Sequence, residues 1–224
     1  MPLPLRMQAF ETIVEAGKTI TVVEHEGLYD IVLGSVVLLS SGALETELAF
    51  GRLAGSLLDR APKRVLIGGL GFGATARGVL EVVGPDARVR VVEKLAAIER
   101  LLRGELAHLA QGVLEDPRVE IIRDDVSRVL ARERDLDAIL LDVDNGPHWA
   151  SFRANARLYA PRGLAAAHSA LAPGGALAVW SGYEADEFLA KLRAAKFQPS
   201  TVALEDPSVA RARAYSRAYV GKKS

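Results

Sequence analysis

Val65-Leu-Ile-Gly-Gly-Leu-Gly-Phe-Gly-Ala-Thr-Ala-Arg77 runs from an apolar segment through a glycine-rich turn into the start of a helix. The unbroken apolar side chains before the glycines read as a strand buried on both faces. Gly69, Gly71 and Gly73 allow a tight turn and let backbone amides approach a ligand, and the helix N-terminus that follows favours negative charge. A strand that passes through such a turn into a helix opens a β-α-β unit, so this stretch predicts a mostly parallel sheet.

The rest of the chain agrees. From residue 64, strand and helix signals alternate: strands at 64–68, 88–93, 119–123, 136–142 and 176–181 are interleaved with helices at 74–83, 95–109, 127–131 and 152–171. A helix at 184–195 follows, then two strands at 198–204 and 214–221 with no helix between them, which predicts an antiparallel pair closing the sheet. The fold expected is α/β: a doubly wound, mostly parallel, seven-stranded methyltransferase-like Rossmann sheet. Before residue 43 the pattern differs. Segments 19–24 and 29–40 are rich in Val, Ile and Leu and flank His25-Glu26-Gly27, which reads as a small β-hairpin region. A helix at 43–58 ends before Pro62. The division expected is an N-terminal β region, 1–42, and a transferase-type core, 43–224.

Composition narrows the partners. Lys+Arg and Asp+Glu both total 28, giving zero net charge, so no long-range field draws the chain to nucleic acid or to an anionic membrane. The basic residues Arg211, Arg213, Arg217, Lys222 and Lys223 read as charges that solvate a sheet edge rather than as a phosphate patch. There is no cysteine, and the histidines at 25, 108, 148 and 168 lack metal-ligand spacing, so no metal is expected. The N-terminus does not read as a signal peptide. The longest apolar run, 31–39, is broken by Gly34 and Ser35 and falls short of a spanning helix. A cytoplasmic protein acting on a small-molecule acceptor is expected, with the apolar 31–39 run available for a dimer contact.

Strand ends supply the candidate site. Gly71-Phe-Gly73-Ala-Thr-Ala76 fits the dinucleotide fingerprint, and Gly69-Leu-Gly71-Phe-Gly73 fits the form usual for S-adenosylmethionine, so the turn alone leaves both open. Glu93 ends the next strand, where an acid reaches ribose hydroxyls. Asp124 and Asp125 end the third; a carboxylate there either accepts from an adenine amino group or caps the following helix. Asp142, at the end of Ala138-Ile-Leu-Leu-Asp142-Val-Asp144-Asn-Gly-Pro147, is placed to orient an amine and accept its proton. His148 and Trp149 either line an acceptor pocket or pack the loop. Tyr183 faces the same crevice, where rim packing is the simpler reading. Together these strand ends predict one adenosine-shaped crevice at the carboxyl edge of the sheet.

These motifs resemble the spermidine synthase family over residues 29–221. The glycine loop, Val92-Glu93-Lys94, Asp116-Pro-Arg-Val with Asp125, and the Asp142-Val-Asp-Asn-Gly-Pro loop are similar to that family's donor and catalytic segments. Leu38-Leu-Ser-Ser-Gly-Ala-Leu-Glu-Thr-Glu-Leu48 is similar to its strand and helix start. The resemblance implies an N-terminal β region, a methyltransferase-like core, a homodimer, and S-adenosylmethionine or its decarboxylated form as donor. It places Asp142 in the catalytic role and Gly69, Gly71, Phe72, Gly73, Glu93, Asp124 and Asp125 at the donor. Glu47, Asp144, His148 and Tyr183, read from their positions, are the acceptor candidates.

Two departures bear on the chemistry. Phe72 stands where the family's loop carries an Asp that pairs with the donor amine. Glu45-Thr46 replace its Tyr-His pair, with only Glu47 in step. Loss of the loop acid disfavours the decarboxylated donor, so the reading preferred from sequence is methyl transfer to a small amine-bearing acceptor. Aminopropyl transfer to a diamine is the alternative, and a non-catalytic nucleotide-binding subunit a third. A dinucleotide oxidoreductase ranks below these.

Overall fold

The structure is a computed structural model that describes residues 8–15, 18–33, 36–143, 146–147, 155–204 and 216–224. Its main sheet contains β5 (Arg64–Gly68), β6 (Arg88–Glu93), β7 (Val119–Arg123), β8 (Leu136–Leu141), β9 (Leu171–Ser181), β10 (Phe197–Ala203) and β11 (Arg217–Lys223). The seven strands lie in the order β10-β11-β9-β8-β5-β6-β7. β7, β6, β5, β8 and β9 pair in parallel, and β11 runs antiparallel to both β9 and β10. The order reverses direction at β5, and ligand crevices of open α/β sheets form at such a switch point.

Period-two alternation divides the core into two layers. Val65, Ile67, Val89, Val91, Ala138 and Leu140 face a core shared with α1 (Leu44–Arg52), α2 (Ala74–Val82), α3 (Ala96–Arg103) and α4 (Ala107–Ala110). Leu66, Val92, Ile139, Leu141, Leu177 and Val179 face a second core with α5 (Val126–Arg132), α6 (Pro161–Ala170) and α7 (Glu187–Ala194). β8 is buried at every position, as its continuous apolar run requires. Asp137 ties the N-terminal end of β8 to β5: it accepts from the Lys63 and Arg64 amides at 2.7 and 3.0 Å and pairs with Arg60 at 2.5 Å. Among the described residues no helix is long and apolar enough to cross a membrane.

The N-terminal region is larger than a hairpin. β1 (Gln8–Glu15), β2 (Lys18–His25), β3 (Leu28–Leu33) and β4 (Val36–Ser40) form a separate antiparallel sheet in sequential order. β1 escaped the sequence reading because Ala-Phe-Glu-Thr-Ile-Val-Glu lacks a continuous apolar run, and its Phe10 and Val14 remain exposed. Segment 29–40 is two strands rather than one. Within it Ile31 is buried in the shared core while Val37 is exposed, so only part of this run offers outer apolar surface.

Other boundaries move for local reasons. The helix expected over 43–58 stops at Arg52 and continues as a 3-10 turn, Leu53–Gly55. The one expected over 95–109 breaks at Gly104 into α3 and α4. α6 starts at Pro161, which suits a first helical position because it has no N–H to leave unpaired; residues 152–154 of the expected helix lie outside the described residues. β11 is not an edge strand, so the reading of its charges as edge protection is corrected. Lys223 Nζ donates to the carbonyls of His168 and Leu171 at 2.8 and 2.6 Å, satisfying the C-terminal end of α6. Arg217 pairs with Glu184. Arg211 and Arg213 lie outside the described residues.

Candidate active site

The glycine turn leaves β5 between the ends of β6 and β8. Gly69 N donates to Val92 O at 2.9 Å, and Asp142 N donates to Gly68 O at 2.8 Å. Gly69 has φ +93°, and a Cβ there would stand 2.1 Å from the Asp142 carbonyl oxygen. Only glycine fits. This close approach is what sets the Asp142 loop against the turn.

Glu93 closes the other side. Its Oε2 accepts from Leu70 N at 3.0 Å and its Oε1 from Leu95 N at 2.7 Å, so one carboxylate organises both the turn and the start of α3. Burial raises its pKa from the ordinary carboxylate value, against the lowering effect of the amides of Leu95, Leu70 and Lys94. At the end of β7, Asp125 caps α5: Oδ1 accepts from Ser127 N at 2.9 Å and from its hydroxyl at 2.5 Å, while Oδ2 lies 3.3 Å from Lys94 Nζ. Burial works to raise the Asp125 pKa, but the Ser127 hydrogen bonds and the Lys94 charge bring it below the usual value. The capping role is thus present, and Oδ2 pairs with Lys94 and lies 3.9 Å from Arg157 Nη2. Asp124 accepts from Asp125 N and pairs with Arg132 at 3.0 Å. The amide of Asp125 and then the arginine lower its pKa. Asp116 and Arg118, part of the resemblance, form a clip instead: Arg118 is bound to the Asp116 carboxylate and also donates to Leu80 O and Val83 O at the end of α2.

The catalytic candidate is held by α2. Thr75 Oγ1 is 2.5 Å from Asp142 Oδ2 and 3.3 Å from the Glu47 carbonyl oxygen; the shorter contact takes its one proton. α1 reaches this point because the two helices touch backbone to backbone. A Cβ on Gly51 would stand 2.1 Å from Thr75 O, and one on Gly78 2.2 Å from Leu48 O. Glu47 Oε2 then lies 3.9 Å from the position a Cβ on Gly71 would occupy. Glu47 and Asp142 interact: burial, then the charge of Asp142, raises the Glu47 pKa well above the carboxylate range. Burial pushes Asp142 up to about 6, against the Thr75 hydrogen bond. An acid poised near neutrality at a strand end suits general-base work. Thr75 lies within the glycine-rich motif only as a spacer, and Gly51 and Gly78 stand outside any site motif; their roles emerge only once α1 and α2 are known to cross.

The remaining candidates divide. Phe72 is 1% exposed and its ring is part of the apolar core with Leu70, Leu101 and Leu106; what it offers a ligand is backbone. The place at the donor expected for Phe72 is thus one that its backbone, not its ring, could fill. Gly73 has φ +87° and precedes α2, packed near Ala110. Tyr183 packs on the loop after Asp142, since a Cβ on Gly146 would stand 2.9 Å from its ring and 2.4 Å from Ser181 Oγ. Asp144, His148 and Trp149 lie outside the described residues. Among the described residues no three His, Asp or Glu side chains converge to hold a metal ion.

The N-terminal sheet braces α3 and α4. Glu15 accepts from the amides of Ala96 and Ala97 at 2.8 and 2.9 Å, capping α3. Glu11 pairs with Arg100, and Tyr29 packs edge-on to His108 of α4 at 5.7 Å.

Strand order and the convergence of the Gly69–Gly73 turn, Glu93, Asp125 and Asp142 on one edge define the class: a methyltransferase-like Rossmann fold with a second, antiparallel sheet at its N-terminus. No family model matches the chain. Over 123 residues, 53% of the chain, it is 37% identical to polyamine aminopropyltransferase 2 of Pseudomonas aeruginosa, of which it covers 33%. It thus spans about a third of the length of that curated relative. The spermidine synthase of Thermotoga maritima superposes with a TM-score of 0.76 at 16% identity, covering 98% of this chain and 74% of that one. A spermidine synthase in complex with the transition-state analogue AdoDATO gives 0.73 at 18% identity, with the same coverages. In fold the chain is similar to spermidine synthases over nearly its whole length, and in sequence it is similar to a polyamine aminopropyltransferase over about half of it.

Proposed function

We propose that this chain is a transferase that takes decarboxylated S-adenosylmethionine as donor and passes its aminopropyl group to a small amine. The observation that carries this reading is the pairing of Glu47 and Asp142 at the glycine turn, two acids with no described lysine or arginine to neutralise them. Such a pair favours cationic ligands, and an aminopropyl donor and an amine acceptor supply them. The residues present fit an adenosine sulfonium: the turn offers amides, Glu93 a carboxylate at the β6 end, and Asp125 a carboxylate at the β7 end.

The donor supplies an electrophilic methylene beside a sulfonium, so that the acceptor nitrogen's lone pair forms C–N as the C–S pair returns to sulfur, leaving a neutral thioether. Asp142 orients the acceptor amine and takes the proton the nitrogen releases. Thr75 holds the Asp142 carboxylate in place for this. The turn and the Asp142 loop, packed backbone to backbone at Gly69, keep donor and base in register.

Methyl transfer, preferred from sequence, rests on the loss of the loop acid at position 72. The ring is in the core, and an acid from α1 stands beside the turn instead. The relatives are an aminopropyltransferase and spermidine synthases, which supports the aminopropyl reading over the methyl one. Incubation with each donor and a panel of diamines, read by mass spectrometry, tests it. Methylthioadenosine formation is expected from the decarboxylated donor. S-adenosylhomocysteine as the main nucleoside product would restore methyl transfer, and donor binding without turnover would favour the non-catalytic subunit. The assembly proposed is a homodimer, supported by the exposed Phe10, Val14 and Val37 of the N-terminal sheet.

A further inference from the structure

In the glycine turn, position 72 carries a core phenyl ring, 1% exposed, so the turn presents no side-chain charge of its own. The acid nearest to it comes from α1. Glu47 Oε2 lies 3.9 Å from the Cβ position of Gly71, and Leu39 Cδ2 3.7 Å from it. Its backbone is fixed: the Gly51 and Gly78 contacts lock α1 against α2.

The two acids of the site are not equivalent. Asp142 Oδ2 is held by the Thr75 hydroxyl, whereas the Glu47 carboxylate accepts no hydrogen bond from any described residue. A half-buried carboxylate with no donor of its own gains most from an arriving cation. Asp142 follows the end of β8, while Glu47, on α1, stands beside the turn.

We propose that Glu47 is the specificity-determining residue for the donor: it receives the primary ammonium at the free end of the three-carbon arm, the task the turn itself lacks an acid to perform. This rests on the aminopropyl reading and deepens it. Asp142 is then left free to serve the acceptor amine. A donor bearing an α-carboxylate would bring a third negative charge to the same corner, which selects against it.

Calorimetry at pH 7.5 tests this with decarboxylated S-adenosylmethionine and with 5′-dimethylthioadenosine, which keeps the adenosine and sulfonium but has no arm. The wild-type chain is expected to bind the armed probe about ten-fold or more tightly, the scale of a charge-assisted hydrogen bond. Glu47→Gln should erase most of that preference while holding the armless probe within about two-fold, which also certifies its fold, and Glu47→Asp should fall between. Equal weakening of both probes, or a preference that survives in Glu47→Gln, overturns the assignment and leaves the aminopropyl reading standing. A wild-type chain that favours ordinary S-adenosylmethionine sinks that reading and the assignment with it. If neither probe binds, the adenosine crevice itself is refuted.

Discussion

Asp142 and Glu47 concentrate the chemistry, and their titration makes it measurable. With Asp142 raised to about 6, the base is ionised above that pH and protonated below it, so kcat/KM is expected to fall as pH drops through about 6. Asp142→Asn should lower kcat about 10²–10⁴-fold and flatten that limb, with donor affinity largely kept; a pH–rate series on both forms checks this. Stability should respond in the opposite sense. A carboxyl whose folded pKa lies above its unfolded one stabilises the fold while protonated and loses that contribution as pH rises through the folded value. Glu47→Gln is thus expected to raise Tm at pH 8, by about 2–4 °C for each kcal/mol relieved in a chain of this size, and to change it less at pH 4. Thermal melts at the two pH values decide. That Asp142, Glu93 and Asp125 lie at strand ends was legible from the sequence, because an apolar run that stops at an acid marks where a parallel strand leaves the core. That Phe72 turns inward was not, since the glycines around it permit either direction.

At the scale of elements, the site depends on how closely α1 lies on α2. Gly78→Ala would press a methyl against Leu48 O, 2.2 Å from the ideal position, whereas a Cβ at Gly84 meets nothing within 4 Å. Overpacking of this kind costs about 1–3 kcal/mol or more, so Gly78→Ala should lower the urea midpoint clearly and weaken Glu47-dependent binding, while Gly84→Ala should leave both near the wild-type values. The brace from the N-terminal sheet has a separate signature. Glu15→Ala removes the acceptor for the Ala96 and Ala97 amides and is expected to cost about 0.5–2 kcal/mol. Amide exchange should speed up at the start of α3 and along β1 before it does in β5 or β8. Neither contact has a sequence signature: Gly51 and Gly78 are 27 positions apart, and Glu15 reaches α3 across 81 and 82 positions.

The whole molecule joins two sheets of different kinds around one edge, with the exposed Val14, at 74%, and Val37, at 43%, on the outer strands of the smaller one. Sedimentation equilibrium at micromolar concentration is expected to return twice the 24.0 kDa chain mass, and Val14→Asp to shift that balance toward the single chain. What the amino-acid order determined unaided is the alternation of buried strands with helices, the antiparallel close of the sheet, and the line of acids and glycines at its carboxyl edge. These are written in local period and in residues that stop or bend the chain, which act over a few positions. The tertiary structure alone decided which acid stands beside the turn, what holds Asp142, and how β1 finds its place. Each is a meeting of surfaces from distant parts of the chain, and packing between elements, not the preference of any one segment, selects it.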